Sequence, residues 1–184
     1  MITLVVTVED KPGVLTRVAS LVRRRAFNIE SLTVGHTESP GTSRITLVVD
    51  TDRDGARRLE HNLYKLVNVL RIDDVTDSPA VYRDLALIKV KASAETRPGI
   101  LQMIEVYRAR IVDVSPDSVI VEITGTEDKI DSLVEVLRPY GIADMARTGR
   151  LAMARGNGLG AERALRPPAI ATPPGDEQGI ACSV

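Results

Sequence analysis

Lys11-Pro12-Gly13-Val14-Leu15 and Arg97-Pro98-Gly99-Ile100-Leu101 are two versions of one pentapeptide, and each joins a strand pattern to a helix pattern. Before the first, Ile2, Leu4, Val6 and Val8 alternate with Thr3, Val5 and Thr7, the period of a half-buried strand. After it, Val14, Val18, Leu21 and Val22 recur at the spacing of one helix face. A helix start leaves backbone N–H groups without intrahelical partners at the positive end of the macrodipole, ready for a small anion. Pro12 suits a first helical turn, and Gly13, with no Cβ, lets a carboxylate approach the backbone. The same two residues also serve a helix start that packs closely and binds nothing, so the residues alone leave both readings open.

The rest of the chain repeats the order that this turn opens. After the first helix, Phe27 to Val34 reads as a strand, Glu38 to Thr42 as a turn, and Arg44 to Asp50 as a strand with Ile45, Leu47 and Val49 on one face. A helix from about Asp52 carries Ala56, Leu59, Leu63 and Leu66, and Val69 to Val75 closes the unit as a strand. Strand, helix, strand, strand, helix, strand is the split βαβ, ferredoxin-like order, with two helices on one face of a four-stranded antiparallel sheet. Ser78-Pro79-Ala80 reads as a linker. Beyond Arg83 the order returns: a strand over Leu85 to Ala92, a helix with Ile100, Leu101, Ile104 and Tyr107, strands over Ile111 to Val114 and Val119 to Ile123, a helix with Ile130, Leu133, Val134 and Leu137, and a closing strand over Ile142 to Thr148. The fold class is therefore α+β, two ferredoxin-like units in tandem: residues 1–77, residues 83–155, and a flexible tail over 156–184 rich in Gly and Pro. No counterpart of Asn28 follows the second helix start, so ligand binding is expected at the first.

A unit of this size leaves one sheet face and its edges unfinished, with a small core. Val5, Val34 and Val48 are the candidates for a partly apolar uncovered surface, and self-association by sheet edges or helix faces is expected.

Composition removes several function classes. Lys and Arg number 24 against 25 Asp and Glu, a formal net charge of −1, so nothing draws the chain as a whole toward nucleic acid or anionic membranes. One Phe, four Tyr and no Trp leave few platforms for base stacking. No apolar run approaches the roughly 20 residues that span a bilayer. The first strand begins at Ile2 without a preceding signal segment, and the single Cys182 makes no intrachain disulfide; both fit a reducing cytoplasm. No metal site is expected, because His36 and His61 have no ligand partners at metal spacing. No nucleophile elbow or phosphate-binding loop is present, and Gly156 to Gly160 has the wrong spacing for a dinucleotide loop. Arg23-Arg24-Arg25 complements the negative end of the first helix, with protein docking the second reading.

Val8 to Val18, followed by Phe27-Asn28-Ile29-Glu30-Ser31-Leu32-Thr33-Val34-Gly35, resembles the small regulatory subunit of acetolactate (acetohydroxyacid) synthase. His61 to Val67, Asp113 to Ser118, Gly125 to Asp131 and Ala146 to Gly149 match that family in the same order. The resemblance spans about residues 1–155. It implies that the first unit is an ACT domain, which forms a homodimer and binds a branched-chain amino acid at the interface. It also implies a separate catalytic large subunit carrying thiamine diphosphate, Mg²⁺ and FAD, with no catalytic residue or cofactor in this chain. That partner condenses two pyruvates, or pyruvate with 2-oxobutyrate, and the small subunit raises its activity and confers feedback inhibition, most often by valine. Carried over by position, Asp10, Lys11, Pro12, Gly13, Val14 and Leu15 meet the effector, and Asn28 and Ile29 complete its pocket across the dimer. Asp10 stands where the family usually has Asn, and its charge favours the effector's ammonium. Ala26 stands where the family tends to have Gly, so a left-handed cap there is expected to cost of order 1 kcal/mol. The alternative function is a free-standing amino-acid sensor with tandem ACT-like units acting on another partner.

Overall fold

The computed structural model describes residues 1–156, and all of the expected flexible tail after Gly156 lies outside the described residues. Its first sheet is built from β1 (Ile2–Glu9), β2 (Asn28–His36), β3 (Thr42–Asp50) and β4 (Val69–Asp74), in the order β2-β3-β1-β4, every pair antiparallel. Helices α1 (Val14–Arg24) and α2 (Arg53–Leu63) cover one face. The positions read from helical and strand periodicity form that core: Leu4, Val6, Val8, Val18, Val22, Leu47, Leu59 and Leu63 are all buried. Asp52 caps α2 by accepting the Gly55 N–H at 2.7 Å, satisfying one of the orphan donors of the first turn.

The second sheet repeats the plan. It comprises β5 (Ala80–Lys91), β6 (Arg110–Val114), β7 (Ser118–Gly125) and β8 (Ile142–Arg147) in the order β6-β7-β5-β8, with α3 (Arg97–Val106) and α4 (Glu127–Leu137) on one face. Ile88, Val90, Ile100, Val121, Ile130 and Leu133 make its core.

Three sequence expectations are corrected. First, β5 begins at Ala80, inside the expected linker, and its first residues pair with an unanticipated strand β9 (Leu151–Ala154). Second, this ribbon covers the face of the first sheet that was expected to be bare. Val5 is 1% exposed and packs with Val75, Ala152, Ala80 and Tyr82, while Val48 is 2% exposed. The strand β1 is therefore buried on both faces rather than one. Third, Val34 is on the helix-facing side, opposite Ile45, because a bulge between Ile29 and Ser31 shifts the register of β2. It is the one member of that trio that stays exposed, at 45%.

The two units share a helix ending that glycine usually supplies. At α1, Phe27 N–H donates to the Val22 carbonyl and Ala26 N–H to the Arg23 carbonyl; at α3, Ala109 donates to Ile104 and Arg108 to Glu105. Both are Schellman closures, and both place a side chain at left-handed φ, 59° at Ala26 and 52° at Arg108. The left-handed cap anticipated at Ala26 is present. Ala26→Gly is expected to raise the unfolding free energy by about 1 kcal/mol, read as a higher denaturation midpoint with unchanged slope.

Candidate effector site

The turn between β1 and α1 is held from below. Glu9 is buried, and its carboxylate accepts from the Asn68 amide at 2.6 Å and meets the Lys11 ammonium at 3.2 Å. The Asn68 hydrogen bond lowers the Glu9 pKa most; burial opposes it, and Lys11 adds to the lowering. Asn68 also accepts from the Arg17 guanidinium at 2.7 Å, tying the turn to the first exposed face of α1. Sequence reasoning missed Asn68 and Arg17 as partners, since they are far apart in the chain and no local pattern joins them. Glu9, the last residue of β1, is buried, whereas Asp10, just past the strand end, is half-exposed, with a carboxylate oxygen 3.4 Å from His36 Nδ1.

Above this support the backbone is open. Gly13 has φ 81° and precedes the helix as its N-cap, so Pro12 lies ahead of the helix rather than in its first turn. A Cβ built on Gly13 meets nothing within 4 Å. The Val14 N–H turns back to the Lys11 carbonyl at 3.3 Å, while the Gly13, Leu15 and Thr16 amides make no backbone hydrogen bond among the described residues. Val14 sends its side chain into the core and Leu15 is 42% exposed. The turn thus offers free backbone donors at a helix N-terminus, one carboxylate from Asp10, and one apolar side chain from Leu15. Those are the three kinds of group that a small zwitterion with an apolar side chain engages.

The eight candidate residues form two groups. Asp10 to Leu15 gather at the end of the sheet where His36 and Gly41 lie, with Asp10 N–H donating to the Gly41 carbonyl at 2.8 Å. Asn28 and Ile29 start β2 at the other end, paired with Asp50 and Val49. Asn28 and His36 are eight residues apart along β2, about 26 Å of strand. The Asn28 amide is engaged by the Glu30 carboxylate at the bulge. Within one chain the two groups of candidate residues are therefore not brought together.

The second pentapeptide is built differently. Its helix α3 starts at Arg97, so Pro98 and Gly99 are inside it, and a Cβ on Gly99 would approach the Tyr140 hydroxyl to 3.2 Å. No open glycine turn exists there. In a cleft of about 410 Å³ between β2 and residues 147–149, Arg147 pairs with Asp84 and Asp131, and Glu127 with Arg150.

The first unit is a βαββαβ, ferredoxin-like domain with a glycine-opened turn at the head of α1, and comparison with known proteins identifies it as an ACT domain. Residues 4–71 match the family described as an AHAS small subunit-like ACT domain, and residues 83–156 match the family described as the small subunit of acetolactate synthase. A probable acetolactate synthase small subunit of Archaeoglobus fulgidus is 50% identical, covering 84% of this chain and 97% of that one. The acetolactate synthase small subunit of Mycolicibacterium smegmatis is 47% identical, covering 88% and 95%. In three dimensions the small subunit from Thermotoga maritima superposes with a TM-score of 0.80 at 39% identity, covering 85% of this chain and 98% of that one. The chain belongs to the family of acetolactate synthase small, regulatory subunits. A catalytic large subunit is the partner that membership implies. Among the described residues no helix is long and apolar enough to cross a membrane.

Proposed function

We propose that two copies of this chain join by their β2 edges, that a branched-chain amino acid binds where they meet, and that this binding sets the activity of the large subunit. The observation that carries the reading is the division of the candidate site. Strand β2 is an edge strand of nine residues, Asn28–His36, with Leu32 at its centre. Antiparallel pairing of two such edges about Leu32 sets the partner subunit's Asn28 beside His36, and hence beside the Asp10–Leu15 turn. The open amides of Gly13 and Leu15 then face the effector's carboxylate, Asp10 its ammonium, and Leu15 with the partner subunit's Ile29 its side chain. Two such sites form at once, one on each side of the twofold axis.

The large subunit carries thiamine diphosphate, Mg²⁺ and FAD and condenses two pyruvates to 2-acetolactate and CO₂, or pyruvate with 2-oxobutyrate. The small chain supplies no reacting group; it activates that enzyme and makes it sensitive to valine or a related amino acid. An effector bridging two chains stabilises one dimer geometry over others, which is the differential affinity that any allosteric inhibition requires. Calorimetric titration of the isolated chain with valine, leucine and isoleucine is expected to show saturable binding of at least one, with one ligand per chain. Absence of heat with all three, or a monomer by light scattering at micromolar concentration, refutes the site. Failure of the chain to bind a thiamine-dependent large subunit favours the free-standing sensor instead.

A further inference from the structure

The C-terminal end of α1 and the last turns of α2 enclose two adjoining cavities. One, of about 450 Å³, is lined by Arg25, Ala26, Phe27, Asp50, Arg58 and Asn62 among others. The other, of about 440 Å³, is lined by Leu21, Arg24, Arg25, Asn62, Lys65 and Leu66. They share Arg25 and Asn62, so together they form one groove between the C-terminal parts of α1 and α2 that runs to the end of β3. Arg24, Arg25, Arg58 and Lys65 stand along it, all exposed, and none makes an ion pair among the described residues. Cations at the end of α1 are explained by its macrodipole alone, but Arg58 belongs to the middle of α2 and faces the same groove. In a chain with a formal net charge of −1, four unpaired cations around one groove are a local feature and not an overall bias.

We infer that this groove is the surface on which an acidic, carboxylate-bearing face of the large subunit docks; the inference rests on the proposed regulatory role. A compact free anion such as phosphate fits poorly. The groove lies at helix C-termini, whose dipoles repel anions, and Asp50 adds a negative charge to its wall. Carboxylates spread over a protein surface meet the exposed heads of Arg24, Arg25, Arg58 and Lys65 one at a time, without entering the floor of the groove. The apolar strip between the cations suits a protein as well: Leu21 and Leu66 line the groove, and the next residue, Val67, is 54% exposed. Nucleic acid is disfavoured because no aromatic side chain other than Phe27 lines the groove. Ala26 and Phe27, at one end of the groove, lead directly into Asn28 of the candidate effector site. Docking and effector binding thus share the α1–β2 junction, which gives the two events a physical link.

The test compares the full wild-type chain with the triple variant Arg24→Glu, Arg58→Glu, Lys65→Glu, all exposed positions outside the effector site. Binding to the purified large subunit is measured at low salt and at about 0.5 M salt. Wild type is expected to bind more weakly as salt rises, and the variant to lose about tenfold or more in affinity at low salt. Its amino-acid titration by calorimetry should stay within about twofold of wild type, showing that the fold and effector site persist. Unchanged large-subunit affinity in the variant overturns the docking surface. So does a wild-type chain that prefers a labelled single-stranded oligonucleotide, or a variant whose only defect is loss of self-association. Failure of the wild type itself to bind the large subunit overturns the proposed function, and this inference with it.

Discussion

Gly13→Asp is expected to abolish the response to valine while leaving the fold and large-subunit activation largely intact. A Cβ at position 13 enters open space, so no neighbour is displaced. The backbone there has φ 81°, which costs a side chain about 1 kcal/mol, less for Asp and Asn than for branched residues. The larger effect falls on the ligand. A carboxylate at this position stands among the Gly13 and Leu15 amides that would otherwise receive the effector's own carboxylate, and competes for them. Loss of one charge-assisted contact together with like-charge repulsion is worth about 3 kcal/mol, or roughly 100-fold in effector affinity. Gly13→Asn separates charge from shape, since it has the same size and tolerates the same φ. It should lose only about tenfold. Equal loss in both variants, measured by calorimetry, would show that the site works by shape alone. Unchanged inhibition of the reconstituted complex by Gly13→Asp would remove the turn from the effector site.

The second large effect is expected at Gly149, where the strap preceding β9 crosses β2. A Cβ there would lie 2.5 Å from Thr33 Oγ1, 2.6 Å from Ser31 Oγ and 3.1 Å from the Leu32 carbonyl. Beside it, Arg150 N–H donates to Ser31 Oγ at 2.8 Å, and the Arg150 side chain reaches Thr3 Oγ1, Glu127 and the face of Tyr82. The Ser31 hydroxyl cannot turn away from a methyl group at Gly149 without releasing the Arg150 N–H. Gly149→Ala is therefore expected to lift the strap and destabilise the chain by about 2 kcal/mol, lowering Tm by about 4–8 °C. Thr33 Oγ1 is buried without a hydrogen-bond partner, so Thr33→Ala alone should cost little or even stabilise. Combining Gly149→Ala with Ser31→Ala and Thr33→Ala should recover only part of the loss, because the Leu32 carbonyl still obstructs the methyl and the Arg150 N–H loses its Ser31 acceptor. A strictly additive thermal-melting result would show that the loss does not arise from these contacts.

The fold was legible because it is written in short-range patterns. Alternation fixed β1 and β3, helical spacing fixed the inner faces of α1 and α2, and the order of these elements left one topology. What could not be read was the covering of the first sheet's outer face. That depends on β9, four residues with no turn signal of their own, and on β5 running five residues beyond its expected start. Patterns within β1 looked half-buried because Thr3 and Thr7 are polar. Yet Thr3 is buried under the strap, a contact between residues nearly the whole described chain apart. The Glu9–Asn68–Arg17 support was hidden for the same reason, being joined only when β4 returns to the edge of β1.

The two pentapeptides separate what sequence determined from what tertiary structure decided. Sequence alone determined that each opens a helix after a strand, because proline, glycine and the apolar spacing that follows admit little else. It did not determine where each helix begins. At the first, Asp10 N–H is bound to the Gly41 carbonyl and Lys11 N–H to Glu9, which holds the chain in a turn until Gly13 and leaves its amides open. At the second, Ser93 and Thr96 bond each other reciprocally, the helix starts at Arg97, and Tyr140 packs over Gly99. Near-identical residues become an open anion-ready turn in one unit and a closed first helical turn in the other. The difference lies in hydrogen bonds from neighbouring strands and loops, which a five-residue segment cannot encode.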